Sequence, residues 1–265
     1  MLSDIIVNED DDLKPLYFCH TTKWENFEKV LKSGVLQVDF SKFPPTSEKT
    51  DDNVIYLFYG LPLFTYKVSP NTISANFAYD LPIGILFKSD IVKILSRFYP
   101  FDTGAAFNNM YKCFRRKIET PEDIADFCVE IMDEGKPLRQ FIKRYFITNE
   151  NYCWCLPKCP DASCELEEEI IQLHKTYGNN SELDQRSTAI EVHSKYNIEI
   201  NSNNVEAFII PRHKSEQYKW VNKIKEQYPD IDVIKYIDVC RNSPDIYRQQ
   251  LITKTIERYL GRNII

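Results

Sequence analysis

The sequence predicts an α+β fold: a curved, mixed or antiparallel sheet core with helical insertions, in one domain over residues 1–265. Three observations carry this. Strand-like runs gather toward the two ends of the chain, and helical patterns group between them, around 107–176, instead of alternating as βαβ units. The chain has 265 residues, 43% of them apolar, enough for one large core or two small ones. Its 16 Tyr and 16 Phe give that core bulky side chains, and its 7 glycines exclude a collagen-like or linker-rich composition.

The elements follow in order. LYFC (16–19) reads as a short strand. Thr22 and Glu25 form a T-x-x-E capping box ahead of a helix whose apolar positions are Trp24, Phe27, Val30 and Leu31. Gly34 ends that helix where a left-handed residue is favoured. VIYLFY (54–59) and PIGILFK (82–88) are aromatic and β-branched strand runs, and Ser89 caps a predicted helix through DIVKILSRF. Thr120-Pro121 opens a helix that Gly135 closes, followed by helices in LRQFIKRYF and ELEEEIIQLHKTYG. AIEVHS (189–194), VEAFIIP (205–211) and IDVIKYID (231–238) read as strands. SEQYKWVNKIKEQYP and SPDIYRQQLITKTIERYLG read as helices.

Composition also bounds function. The net charge of −6 gives no support to general electrostatic binding of nucleic acid. Two local runs, KCFRRK (112–117) and RQFIKRYF (139–146), are the basic patches to weigh, and mixed-charge helix faces in solvent are the favoured reading. No apolar run is long enough to span a membrane. The start, MLSDIIVNEDDDLKP, lacks a basic-then-apolar leader pattern, so a cytoplasmic location is expected.

Three stretches place polar residues at the ends of apolar strands, where open sheets often hold ligands: CHTTKWENFEKVLKSGVL (19–36), VIYLFYGLPLFTYK (54–67) and DQRSTAIEVHS (184–194). The first, with His20, Thr22, Asn26 and Gly34, resembles the opening of the ADP-ribosyltransferase superfamily, most of all its DarT-type branch that modifies DNA. The second, with Tyr56, Phe58, Tyr59, Pro62 and Tyr66, is similar to that branch's aromatic strand and turn. It departs from the branch at Leu61, where the family carries arginine; Lys67 and Arg186 are the candidate replacements. The third resembles the strand that supplies the family glutamate, here Glu191. These stretches cover about a sixth of the chain.

The resemblance implies an ADP-ribosyltransferase-like fold and NAD as substrate, with DNA or RNA as an acceptor. It implies Glu191 and His20 as the catalytic pair, and His20, Thr22, Asn26, Tyr59 and Tyr66 as nucleotide contacts. By the same analogy, the setting is a toxin or antiviral one, with an antitoxin or regulatory protein as partner and no membrane. Leu61 keeps a second expectation open, an inactive nucleotide-binding sensor of the same fold; a protein-interaction subunit working through 107–176 is the third. The residues alone also admit core roles for Tyr56, Phe58 and Tyr66, and an outward position on an alternating strand for Glu191. Asp102-Thr103-Gly104 reads as an ordinary turn, with a place at a site rim as its alternative.

CWCLPKCPDASC gives C-x-C-x3-C-x4-C at Cys153, Cys155, Cys159 and Cys164. Structural zinc sites usually present paired C-x2-C knuckles, so reduced thiols are the favoured reading and zinc the alternative.

Overall fold

The computed structural model describes residues 1–38, 53–61, 64–69, 72–75, 83–178, 184–211 and 219–236. In chain order its elements are α1 (Leu2–Ile6), β1 (Phe18–Thr22), α2 (Trp24–Ser33), β2 (Val35–Leu36), β3 (Ile55–Tyr59), β4 (Thr65–Ser69), β5 (Thr72–Ala75), β6 (Ile83–Phe87) and β7 (Arg97–Tyr99). There follow α3 (Thr103–Phe107), β8 (Val129–Glu130), α4 (Lys136–Phe146), α5 (Asn149–Cys153), α6 (Glu165–Leu173), β9 (Glu191–Ser194), β10 (Ile198–Glu199), β11 (Val205–Pro211), α7 (Lys219–Gln227) and β12 (Asp232–Tyr236). The architecture is α+β; β1 pairs antiparallel with β3 and β6, β2 with β10, β4 with β5, β6 with β11, and β7 with β8 and β9, while β11 and β12 run parallel. The C-terminal helix expected over 243–261 lies outside the described residues.

The described residues gather into two compact units, one from 1–15, 38–56 and 92–196, the other from 16–37, 57–91 and 197–265. In the second unit the strand order is β12-β11-β6-β1, and the end of β3 joins β1 through Phe18↔Tyr59 and Cys19↔Phe58. Parallel neighbours need a crossover, and α7 supplies it between β11 and β12. Alternation puts Cys19 on one face, where it packs with Leu86, Ala207 and Ile209. Phe18, His20 and Thr22 fall on the other face. Helix α2 covers that second face: Phe27 meets Phe208 edge-to-face at 5.3 Å, and Val30 and Leu31 are buried beside it. Gly34 takes φ +70° and donates its N–H to Val30 O at 2.9 Å, the left-handed helix end read from the sequence.

The capping box at Thr22 does not form. The ladder of β1 with β6 runs on through Thr22↔Ile83, which holds Thr22 in the sheet, and Lys23 becomes the N-cap with no side-chain bond. Two other helical expectations also yield to strand pairing. Ser89–Ile94 is a short 3-10 stretch, and the chain beyond it becomes β7. Pro121–Phe127 is likewise 3-10, and Val129–Glu130 pairs with β7 as β8. In both, β-sheet partners distant in sequence outweigh local helical periodicity. The Thr120 cap does form, closed reciprocally with Asp123.

In the first unit β9, β7 and β8 lie side by side, with Phe98↔Val192 and Phe98↔Val129 opposite one another. Their shared face packs on α4, where Phe98 lies 5.9 Å from Phe141. Helix α4 buries Leu138, Phe141, Ile142, Tyr145 and Phe146, and its cationic side is strapped by the acidic start of the chain. Arg139 pairs with Asp11, Lys143 with Asp12 at 2.9 Å, and Arg144 with Glu9 at 2.7 Å. Gln140 Nε2 donates to Val7 O and Glu9 O, at 2.8 and 2.9 Å. The RQFIKRYF run is therefore a helix face matched by carboxylates.

Candidate functional site

Alternation on β9 puts Glu191 and His193 on one face, with Val192 on the other. The register sets Arg97 opposite His193 and Tyr99 opposite Glu191, so all four side chains rise from the same face of the β9–β7 pair. Ile190 and Val192 are fully buried, yet Glu191 itself is only 4% exposed. It is not a solvated strand residue. Burying a carboxylate without hydrogen bonds is costly, and here each oxygen has donors.

Those donors arrive from the chain just beyond β7. Asp102 caps α3 by accepting Ala105 N–H at 2.9 Å, and its own N–H donates to Arg186 O at 3.0 Å. That fixes Thr103 over Glu191. The Thr103 hydroxyl donates to Oε1 at 2.6 Å and the Thr103 N–H donates to Oε2 at 3.1 Å. His193 Nε2 lies 2.7 Å from Oε1, and Arg97 Nε donates to His193 Nδ1 at 3.3 Å. Tyr56 meets the His193 ring edge-on at 4.7 Å, and Tyr99 meets it at 5.3 Å. The turn reading of Asp102-Thr103-Gly104 holds for Asp102 as a cap, while Thr103 joins the carboxylate.

Two further charged groups border this cluster. Arg186 forms a bidentate pair with Asp184, Nε to Oδ1 at 2.8 Å and Nη2 to Oδ2 at 2.5 Å. Burial pushes the Asp102 carboxyl up to about 7; the charge of Glu191 adds to the rise and Arg186 opposes it. Burial likewise pushes the Tyr111 hydroxyl up, with Asp184 and Asp102 adding to it. Arg97 and Tyr99 also line a cavity of about 660 Å³, together with Cys128, Glu130, Gln140 and Ile6. A cavity of that volume is within the usual range for small-molecule sites.

The other sequence-predicted residues lie in the second unit. His20 is half-buried in β1, opposite Ile85, and Thr22 is buried two residues on, on the same face. Asn26 is exposed on α2. Tyr59 is 1% exposed; its hydroxyl accepts Leu16 N–H at 2.9 Å and its ring lies 5.0 Å from Phe18. That is a core environment, and it leaves the ring no open face for stacking. Leu61 is fully buried. Tyr66 lies in β4 opposite Ser74, and its side chain is outside the description, as is that of Lys67.

The cysteine run spreads out. Cys153 and Cys155 are buried, Cys159 is half-buried, and Cys164 is the exposed N-cap residue of α6; all are free thiols. Among the described residues no group of three or more His, Cys, Asp or Glu side chains is placed to hold a metal ion. His174, ten residues on, is fully buried among Phe141, Tyr145 and Phe146, and burial lowers its pKa to about 3.

The sequence singles out Glu191 by resemblance and offers Thr103 only as the alternative to an ordinary turn; it gives no role to His193 or Arg97. For His193 the E-x-H spacing is the signal, since i and i+2 share a strand face. Comparison of the chain with protein-family models, with curated proteins and with solved structures gives no match.

Proposed function

We propose that the protein is an ADP-ribosyltransferase-like enzyme that binds NAD and transfers ADP-ribose to a macromolecule, nucleic acid among the candidate acceptors. The observation that carries this reading is the buried carboxylate of Glu191, held on both oxygens by Thr103 and met by His193. In the reaction the bond between ribose C1′ and the nicotinamide nitrogen breaks, and nicotinamide leaves with the bonding pair. Positive charge then develops on the sugar, and a fixed carboxylate stabilises it. A nucleophilic N–H or O–H group of the acceptor attacks C1′ and gives up its proton. The nucleotide-contact roles that the resemblance gives His20, Thr22, Asn26 and Tyr66 belong to the same proposal, as does an ADP-ribosyltransferase-like fold. Tyr59 contributes as packing.

A second reading is nucleotide binding without transfer. The buried Leu61 favours it: an alkyl group packed in the core cannot pair with a pyrophosphate. Arg186, one candidate replacement, is already bidentate to Asp184. The test is incubation with NAD labelled in its adenylate half, offered single-stranded DNA, RNA and protein in turn. Label joined covalently to an acceptor supports transfer. Unreacted NAD that still raises the melting temperature supports binding alone.

A further inference from the structure

We propose that His193 is the positioning residue for Glu191, and that Arg97 fixes the tautomer in which it acts. The inference rests on the reading of Glu191 as the charge-stabilising carboxylate.

The argument is a proton count. A guanidinium nitrogen is a donor and never an acceptor. Arg97 Nε points at His193 Nδ1 over 3.3 Å, so Nδ1 accepts and carries no hydrogen. An ionised carboxylate only accepts, so at 2.7 Å from Glu191 Oε1 the His193 Nε2 donates. Both bonds hold together only for the neutral imidazole with its proton on Nε2. The other neutral tautomer would set N–H against N–H at Arg97 and a bare nitrogen against Oε1. The doubly protonated ring would lose the Arg97 bond.

The ring has little freedom to escape this arrangement. Ser96 donates its N–H and its hydroxyl to the His193 carbonyl, at 2.8 and 3.0 Å, which pins the backbone. Tyr56 and Tyr99 pack against the ring, and His193 is 4% exposed.

The consequence falls on Glu191. A carboxylate has about four acceptor directions. Oε1 uses two, for Thr103 Oγ1 and His193 Nε2, while Oε2 uses one, for Thr103 N–H. The remaining direction belongs to Oε2, and on this proposal it is the one that meets a ribose hydroxyl or the developing sugar cation. His193 therefore decides which oxygen faces the ligand.

The test has two arms on the full chain. The first is long-range ¹H–¹⁵N NMR of the imidazoles at neutral pH, with the His193→Gln spectrum identifying which of the four histidines is His193. A protonated Nε2 with a bare Nδ1 is expected, and Arg97→Leu should move the ring to a mixture of tautomers. A protonated Nδ1, or a tautomer indifferent to Arg97→Leu, overturns the proposal. The second arm is transfer kinetics. His193→Gln keeps a donor toward Oε1 and should stay within about tenfold of wild-type kcat. His193→Phe keeps the ring packing but has no donor, and should lose about 10²-fold in kcat with KM for NAD nearly unchanged. Equal losses in both variants overturn the proposal. If the wild-type chain does not cleave NAD, the reaction assignment fails, and the NMR arm alone still decides the positioning role.

Discussion

Thr103 and Glu191 sit 88 residues apart in the chain and share two hydrogen bonds, one of them 2.6 Å long. Thr103→Ala removes the hydroxyl and leaves a buried carboxylate short of one donor. The expected loss is about 1–3 kcal/mol, read from urea unfolding midpoints, and Thr103→Ser should restore most of it. Asp102 makes a pH prediction. Its folded pKa is raised from 3.8 to about 7, chiefly by burial and next by Glu191. Between about pH 4 and pH 7 the folded state therefore keeps a proton that the unfolded chain has released. The stability from this group is fully present below about pH 4 and is lost as pH rises to about 7. Asp102→Asn still accepts Ala105 N–H but does not titrate. The melting temperature of the variant relative to wild type should therefore climb from pH 4 to pH 7; a relative fall contradicts the assignment. At this scale Glu191 was singled out by the resemblance of its strand, while its flanks Ile190 and Val192 alone admitted an outward position; the structure buries it. Thr103 was legible only as an alternative to a turn and Arg97 not at all, because what makes them matter is contact with partners 88 and 96 residues away that local sequence does not encode.

At the scale of elements, the local signal at Gly34 holds, while Gly135, expected to close a helix from Pro121, instead precedes α4 as its N-cap. Gly34 and Gly135 both take positive φ, +70° and +78°. A Cβ at Gly34 would come no nearer than 3.9 Å to the Tyr228 hydroxyl, so Gly34→Ala should cost only the left-handed backbone, about 1–2 kcal/mol. A Cβ at Gly135 would meet Val92 Cγ2 at 2.8 Å, so Gly135→Ala should add a further ~1–3 kcal/mol of overpacking. Equal melting-temperature losses for the two would contradict this. Helix α2 and the strands β3, β6, β9 and β11 lie within a residue or two of where periodicity and β-branched content set them. The failures were Thr22, Ser89–Ile94 and Pro121–Phe127, and in each the neighbouring chain is held in a ladder, Thr22↔Ile83, Arg97↔His193 and Phe98↔Val129. Pairing partners about 30 to 100 residues away decided these segments.

Over the whole molecule, charge separates the two basic runs from the role that their sequence invites. Arg139, Lys143 and Arg144 face Asp11, Asp12 and Glu9, while Arg115 faces Glu165 and Glu168, and Arg116 faces Asp126. In a chain of net charge −6, two basic runs paired in this way do not draw a polyanion by field strength alone. Any nucleic-acid acceptor is then chosen by a shaped site more than by a basic surface. The proposed transfer rests instead on one buried carboxylate, and its substitution is the most direct measurement. Nicotinamide release from NAD should be followed for wild type and for Glu191→Gln, with NAD binding measured by calorimetry on the same samples. The account predicts a loss of about 10²–10³-fold in release with binding almost unchanged, because the charge of Glu191 acts mainly in the transition state. Release by the variant at the wild-type rate would contradict it.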